Sequence, residues 1–249
     1  MEIYSLSPLA LVYCVVVLLL AYTLRGGTGF GGALGMALLV VVLPIKVLVP
    51  AWTLLTIASS VAILGHDRRH IAWREVLPFM PWCVVGIGAG LYVFTTLDPL
   101  TLVRGLGMVV LVYAAYALWT TWRPAAVAGE PGRWLAPFAG TVSGAVGTVF
   151  GTMATPFFVM YLEARKLAKH AFRATLSAML LGLALVRGLG YYAVGEFTFE
   201  TVIVFAAALP VMLIGIALGN RVHLNLSELA FRRLVGGTLL ASSLPLLLK

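Results

Sequence analysis

The sequence has few charged residues. They make up only 10% of its 249 residues, whereas 61% of the residues are hydrophobic. Soluble domains carry about 25% charged residues, so a water-soluble fold would have nowhere to bury this much apolar surface. The mean hydropathy of +1.03 points the same way. The chain is therefore predicted to be an all-α, polytopic membrane protein.

Other features are missing as well, and each absence argues against a class of protein. The sequence contains no GxxxxGK[ST] phosphate loop, so transport by this chain alone would run on a gradient rather than on nucleotide hydrolysis. It contains no basic stripe with interleaved aromatics, so the net charge of +8 does not indicate nucleic acid. Cys14 and Cys83 lie in apolar runs and are interpreted as packing residues. We predict no catalytic residue, metal or cofactor.

Ten hydrophobic segments follow one another along the chain. A helix needs roughly 20 apolar residues to cross the ~30 Å hydrocarbon core, and the second, sixth and seventh segments are shorter. Short, glycine-interrupted segments in corresponding positions are typical of the broken helices of transporters. The segments cover about 8–25, 30–44, 47–65, 76–97, 100–121, 134–148, 150–163, 168–193, 200–220 and 229–248.

The two halves of the chain resemble each other. Residues 29–48 align with 149–168 at an offset of 120, and later matches keep their order at an offset of 129. We therefore predict a first membrane repeat over 1–122, a cytoplasmic linker over 123–130 and a second repeat over 131–249. The matched pairs are Phe30 and Phe150, Gly31 and Gly151, Lys46 and Lys166, Pro81 and Pro210, Gly86 and Gly215, Gly90 and Gly219, Arg104 and Arg233, and Gly107 and Gly236.

The positive charges indicate how the two repeats are inserted. Five segments per repeat is an odd number, so the second repeat would enter the membrane from the opposite side. With the N-terminus outside, thirteen of the seventeen Lys and Arg residues lie inside and four outside, and twelve remain inside when Arg25 is placed within the membrane. This bias follows the positive-inside rule. It predicts inverted repeats with both termini outside, in a bacterial-type inner membrane.

The glycine-rich turns GTGFGG and GTVFGT are predicted to be the tips of two hairpins that dip into the membrane. Helices that begin at Phe30 and Phe150 would direct their free N–H groups and their dipoles at the turn, which favours a bound anion. An alternative remains open. The glycines would then serve only to let helices pack closely, as small-xxx-small motifs do.

The GFGG turn, the short apolar segment after it, the turns at Lys46 and Lys166 and the duplication together resemble the sulfite exporter TauE/SafE family. This resemblance implies transport of a small sulfur-containing anion such as sulfite or a related organic acid. The family's glycine-rich turn is usually followed by a proline. Here Met36 stands where the second repeat has Pro156, and Thr152 stands where the first has Gly32.

Three arginines fall within or beside the predicted spans, where a charge costs about 2.5–3.5 kcal/mol on insertion scales and is a functional candidate. Arg25 abuts the first turn, while Arg173 and Arg187 share a helix face with Ser177. No Asp or Glu lies inside a span near them, so an anionic substrate is a fitting partner. Snorkelling of each arginine to the surface is the open alternative. The predicted substrate-binding residues are Arg25, Thr28, Gly29, Phe30, Gly31, Gly32, Gly147, Thr148, Phe150, Gly151, Thr152, Arg173, Ser177 and Arg187.

A stripe of hydroxyls in the first repeat, Thr53, Thr56 and Ser60, has helical spacing and fits a cavity wall. Together these features predict a secondary transporter, and in particular an exporter, of a small anion such as sulfite or a sulfonate. It would work by alternating access around a mid-membrane site. An anion channel with the same pocket and a carboxylate transporter are open alternatives. The expected partners are the substrate and the lipid bilayer, with a coupling proton and a homodimer left open and no nucleic acid.

Overall fold

The computed structural model describes residues 7–28, 32–122, 134–165, 167–221 and the separate positions 239, 240, 243 and 246. Within these ranges the secondary structure is helical and contains no strand. The predicted all-α fold is confirmed. The described helices are α1 (Pro8–Thr28), α2 (Gly32–Leu39), α3 (Ile45–Asp67), α4 (Trp73–Thr96), α5 (Pro99–Trp122), α6 (Leu135–Phe150), α7 (Thr155–Ala164), α8 (Lys169–Ala193) and α9 (Phe199–Arg221).

Six of the described helices, α1, α3, α4, α5, α8 and α9, are long and apolar enough to cross a membrane. The other three, α2, α6 and α7, have only 8, 16 and 10 residues. At 1.5 Å per residue the longest of these reaches about 24 Å, short of the hydrocarbon thickness. The short helices are the second, sixth and seventh, as the sequence predicted. The tenth predicted segment lies almost entirely outside the described residues.

Helices α3 and α8 form the centre of the protein. In their apolar windows 72% and 67% of the residues are buried, against 28–39% in the other four long helices. Thr53 of α3 lies beside Gly188, near the end of α8. The backbone N–H of Ala72, which follows α3, donates to Thr175 Oγ1 near the start of α8 at 3.0 Å. The two helices therefore run antiparallel, as inverted repeats require of corresponding segments.

Helix α4 packs along α6 through two glycines one turn apart. A methyl group built on Gly86 would overlap the backbone of Thr141, and one on Gly90 would lie 2.7 Å from the carbonyl oxygen of Ala145. Both positions therefore need glycine to bring the two backbones together. Because the contacts advance in the same direction along both helices, α4 and α6 are parallel.

Helix α9 packs along α1 in the same manner. Gly215 faces the backbone at Leu19, and Gly219 faces the backbone at Thr23. The pair α1 and α9 thus repeats the pair α6 and α4 with the two halves exchanged. For these four glycines, close helix packing is the explanation. The linker 123–130 lies outside the described residues, so the repeat boundaries stay predictions.

The helix ends at the second hairpin differ from the prediction. Helix α6 continues to Phe150, Gly151 takes a left-handed conformation with φ of 79°, and α7 begins only at Thr155. The prediction that a helix begins at Phe150 was wrong, because Gly151 caps the carbonyl end of α6 in a conformation that glycine adopts without strain. Pro156, which lacks an N–H, stands in the first turn of α7, where that loss is tolerated.

In the first hairpin, α1 runs past the predicted end at 25 to Thr28, and α2 begins at Gly32. The predicted start at Phe30 lies outside the described residues. Helix α2 ends at Leu39, well before the predicted 44. The chain then turns through 40–43, and Pro44, in an extended conformation, immediately precedes α3.

The far end of the second hairpin is tied to α4. Nε of Arg165 lies 3.0 Å from Glu75 Oε2, and the Tyr161 hydroxyl donates to the same oxygen at 2.8 Å. Tyr161 also packs against Phe79, with ring centroids 4.6 Å apart. These contacts fix the end of α7 that lies away from the glycine turn.

Candidate functional site

The two hairpins meet in the interior of the protein. A side chain on Gly32, at the start of α2, would collide with Thr152 Oγ1 in the turn after α6. A side chain on Gly151 would likewise collide with the end of Met36. Glycine at these two positions therefore lets one hairpin touch the other. Gly29, Phe30, Gly31 and the side chain of Thr28 lie outside the described residues.

A small cavity lies beside this contact, with room for about one water molecule. Helices α1, α3, α7 and α8 and the turn after α6 all contribute to its wall. Among the described residues, no Asp or Glu lines it. The lining residues are Arg25, Thr56, Gly151, Thr152, Ala154, Thr155, Leu180, Leu183 and Arg187.

Arg25 enters the cavity from the last turn of α1. Its side chain is buried, and one of its terminal nitrogens donates to Ser60 Oγ on α3 at 3.1 Å. Its Nε has no hydrogen-bond partner among the described residues. The contact with Ser60 carries no negative charge to balance the guanidinium. Arg25 is thus a cation inside the protein, not a side chain that reaches the surface.

Arg187 enters the cavity from α8 and holds the carbonyl end of α6. The same nitrogen, Nη1, donates to the carbonyl oxygens of Gly147 and Gly151, the latter at 3.0 Å. One turn later on α8, the Tyr191 hydroxyl donates to the carbonyl oxygen of Thr148. The last four carbonyls of a helix have no partner within it and carry partial negative charge. Arg187 and Tyr191 together satisfy three carbonyls at this helix end.

This capping role was missed from the sequence, although a signal for it existed. Arg187 and Tyr191 are four residues apart and so lie on one face of α8. The alternative that Arg187 snorkels to the surface is wrong, since Arg187 is 1% exposed. Tyr191 is 0% exposed and so does not lie at the membrane surface either. The Nε of Arg187 has no partner among the described residues.

Several predicted site residues lie away from the cavity. Arg173 donates to Asn220 Oδ1, near the end of α9, at 2.9 Å. Thr148 packs against α4 at Gly90, and the Phe150 ring packs against α5 at Gly105. Ser177 is buried on α8 but does not line the cavity.

The structure therefore brings Arg25, Gly151, Thr152 and Arg187 together, with Gly32 in contact with Thr152 and Gly147 bound to Arg187. It adds lining residues that the predicted set lacked. Thr56 belongs to the hydroxyl stripe expected to form a cavity wall. Nothing in the sequence singled out Thr155, which becomes relevant only because α7 begins there.

Comparison with known proteins identifies the family of this chain. The family model described as sulfite exporter TauE/SafE matches residues 14–246. The chain belongs to the TauE/SafE family. It is 28% identical over 201 residues to a Comamonas testosteroni protein described as "Probable inner membrane transporter protein TsaS", a match that covers 78% of this chain and 80% of that protein. No solved structure matches the chain.

Membership of the TauE/SafE family and the six long apolar helices among the described residues make this chain a multi-pass membrane transporter. The family is one of transporters and not a class of enzymes. The suspected resemblance, made on the GFGG turn and the duplication, is confirmed.

Proposed function

We propose that the protein is a secondary transporter that exports a small anion, sulfite or an organosulfur compound such as a sulfonate, across a bacterial inner membrane. The observation that carries the proposal is the pair of buried arginines, Arg25 and Arg187, on one cavity whose described lining contains no acidic side chain. A buried charge is costly unless it is paired. A bound anion supplies the missing partner.

The two arginines would contribute differently to binding. Arg187 is already engaged with the carbonyl end of α6, which offsets part of its charge. Arg25 has only the Ser60 hydroxyl as a polar partner in the described contacts. We therefore assign the larger share of substrate neutralisation to Arg25. The N-terminus of α7, at Thr155 on the cavity wall, adds a favourable dipole for an anion.

The cavity in this conformation is too small for a sulfur oxyanion, which has several heavy atoms, because it has room for about one water molecule. Binding therefore requires the two hairpins to separate. Alternating access fits this geometry. First one hairpin and then the other would move away from α3 and α8, so that the site opens to each side of the membrane in turn, with both termini outside. Coupling to a proton would then act through titration of the substrate, since no carboxyl group among the described residues lines the site.

Thermal unfolding of the purified protein with increasing sulfite tests the binding step. Wild type should be stabilised as ligand is added, by about 2.7 kcal/mol at 100 times the Kd. Arg25→Gln should lose this ligand-dependent stabilisation, because the neutral side chain no longer balances the anion. Arg173→Gln is the matched control and should keep it, because Arg173 bonds to Asn220 outside the cavity. Equal stabilisation of Arg25→Gln and wild type would remove Arg25 from the site.

The same protein in liposomes distinguishes the rival functions. A transporter shows saturable flux at a rate set by its conformational cycle, whereas a channel conducts far faster and supports no counterflow. A panel of sulfur oxyanions, sulfonates and carboxylates gives the substrate class. Preference for carboxylates over every sulfur compound would overturn the proposed substrate and leave the anion site standing.

A further inference from the structure

Trp52 is a large, fully buried side chain with an unused polar atom. It lies on α3 with 0% of its surface exposed, and its indole Nε1 has no hydrogen-bond partner among the described residues. Buried donors in native proteins nearly always have a partner, because leaving one unpaired is unfavourable. The indole nitrogen is a donor only. Its free N–H therefore calls for an acceptor that enters from elsewhere.

Trp52 shares a helix face with residues of the site. Trp52, Thr56 and Ser60 follow one another at intervals of four, so their side chains lie one above the other along α3. Thr56 lines the cavity, and Ser60 accepts a hydrogen bond from Arg25. The face of α3 that carries Trp52 is thus the face turned towards the cavity.

The indole nitrogen lies where the two hairpins meet. A methyl group built on Gly32 would be 3.6 Å from Nε1 of Trp52 and would collide with Thr152 Oγ1. Nε1 and this hydroxyl therefore flank the same point, and Thr152 lines the cavity. If the hairpins separate to admit a ligand, as proposed above, this contact is the one that opens.

The Trp52 ring is held in place on its other sides. A methyl group on Gly35 of α2 would lie 2.6 Å from Cη2 of the ring, so glycine at that position makes room for it. The Tyr22 ring packs against Trp52 with centroids 5.5 Å apart and an angle of 31° between the planes. These contacts fix the ring with its N–H beside Thr152. A donor that is already fixed loses little conformational entropy when a ligand binds.

We propose that the indole N–H of Trp52 donates to the transported anion and selects for anions with at least three acceptor oxygens. The inference rests on the proposed function. Arg25, Arg187 and Trp52 would each engage an oxygen, which a sulfite or sulfonate group can supply. A carboxylate has only two oxygens, so two of the three donors would have to share one of them. A site whose three donors each meet an oxygen of their own therefore favours the sulfur anions over carboxylates.

Trp52→Phe tests the inference because it keeps an aromatic ring and removes the N–H. At the offset of 120 the second repeat carries Phe172, an aromatic residue without a donor, at the corresponding position. The variant should bind sulfite and sulfonates about ten- to a hundredfold more weakly, as expected for a hydrogen bond to a charged group. Its affinity for carboxylates should change far less. Trp82→Phe, on the exposed side of α4, is the control and should leave all affinities unchanged.

A spectroscopic measurement on the wild type keeps the test independent of how well the variant folds. The chain has six tryptophans, so 15N-labelled protein gives at most six indole N–H signals. The Trp52 signal is the one missing from the spectrum of Trp52→Phe. If that variant does not fold, the signal is assigned from wild-type protein that carries 15N only at Trp52. In wild type this signal should move downfield as sulfite is added. In Arg25→Gln the same additions of sulfite should leave it in place.

The outcomes separate this inference from the proposed function. If wild type binds sulfite but the Trp52 signal does not move and Trp52→Phe binds with unchanged Kd, the anion site stands and the role of Trp52 is refuted. Equal weakening of sulfonate and carboxylate binding would refute the selection by oxygen count. If wild type binds no anion at all, both the proposed function and this inference are refuted.

Discussion

One arginine connects each hairpin to a central helix. In one repeat this arginine belongs to the hairpin, and in the other it belongs to the central helix. In the first repeat Arg25 belongs to the hairpin helix α1 and reaches Ser60 on α3. In the second repeat Arg187 belongs to the central helix α8 and reaches the end of α6. Both side chains are buried and both line the same cavity.

The difference lies in what each guanidinium binds. Arg187 binds carbonyl oxygens at a helix end, which must be satisfied whether or not a ligand is present. Arg25 binds the hydroxyl of Ser60, a single neutral acceptor that does not belong to a helix end. Burial alone therefore does not reveal the role of a charged residue in a membrane protein; its partners do. The second hairpin should depend on its arginine for stability, and the first should depend on its arginine for ligand.

The largest loss of stability is expected from removing the contact between Arg187 and the end of α6. Arg187→Gln leaves the carbonyls of Gly147 and Gly151 without their charged donor, at a cost of about 1.5–3 kcal/mol for each hydrogen bond lost. The variant should unfold at markedly lower temperature than wild type in the absence of any anion. Thermal unfolding in detergent, compared with Arg173→Gln, measures this. A ligand-free Arg187→Gln as stable as wild type would show that the carbonyl contacts do not support the hairpin.

A smaller loss is expected when only one hydroxyl of the same cap is removed. Tyr191→Phe deletes the donor to the carbonyl oxygen of Thr148 and keeps the ring that packs against Phe94, 5.2 Å away between centroids. An unpaired buried carbonyl costs about 1–3 kcal/mol. Free energies of unfolding should fall by that amount, while the Kd for sulfite stays near that of wild type. A changed Kd with unchanged stability would contradict the division of roles.

The smallest effect on stability is expected from the matching deletion in the first repeat. Ser60→Ala removes the hydroxyl that accepts from Arg25, and a water in the cavity that Arg25 lines can take its place, which keeps the loss to about 1 kcal/mol or less. Because Arg25 is then less well positioned, sulfite binding should weaken by a few fold. Isothermal titration of this variant beside Tyr191→Phe compares the two repeats directly. If Ser60→Ala destabilises the protein more than Tyr191→Phe does, the contrast between the repeats is wrong.

Much of the fold could be predicted from the sequence, because membrane insertion imposes simple length and composition requirements. The runs of apolar residues marked the six long helices, and the shortness of the second, sixth and seventh segments marked α2, α6 and α7. The duplication predicted opposite directions for corresponding segments, and α3 and α8 do run antiparallel. The burial of Arg25 agrees with its predicted place beside a hairpin tip, and the snorkelling alternative is wrong for it.

The helix ends could not be predicted as well. Gly151 occurs in the same motif whether it starts α7 or caps α6, and only its left-handed backbone decides between them. Gly86 and Gly90 likewise look no different in sequence from the glycines of the turns. Their need for glycine comes from the backbone of α6, a neighbour distant in the chain.

The candidate site was predicted only in part, for a related reason. Arg173 and Arg187 stand on one predicted helix face and looked equivalent. Arg173 meets Asn220 of α9 and Arg187 meets the end of α6, which depends on how α8 packs against those two helices. Trp52 was not recognised because nothing in the sequence shows that its N–H lacks a partner. Unsatisfied atoms are a property of packing and not of composition.

Counterflow of radiolabelled sulfite into liposomes preloaded with sulfite tests the central claim most directly, with wild type and Arg25→Gln reconstituted at equal density. Two buried arginines that frame a transported anion predict rapid, saturable counterflow in wild type and a loss of at least a hundredfold in the variant. Counterflow by Arg25→Gln at the wild-type rate, from correctly folded protein, would contradict the account.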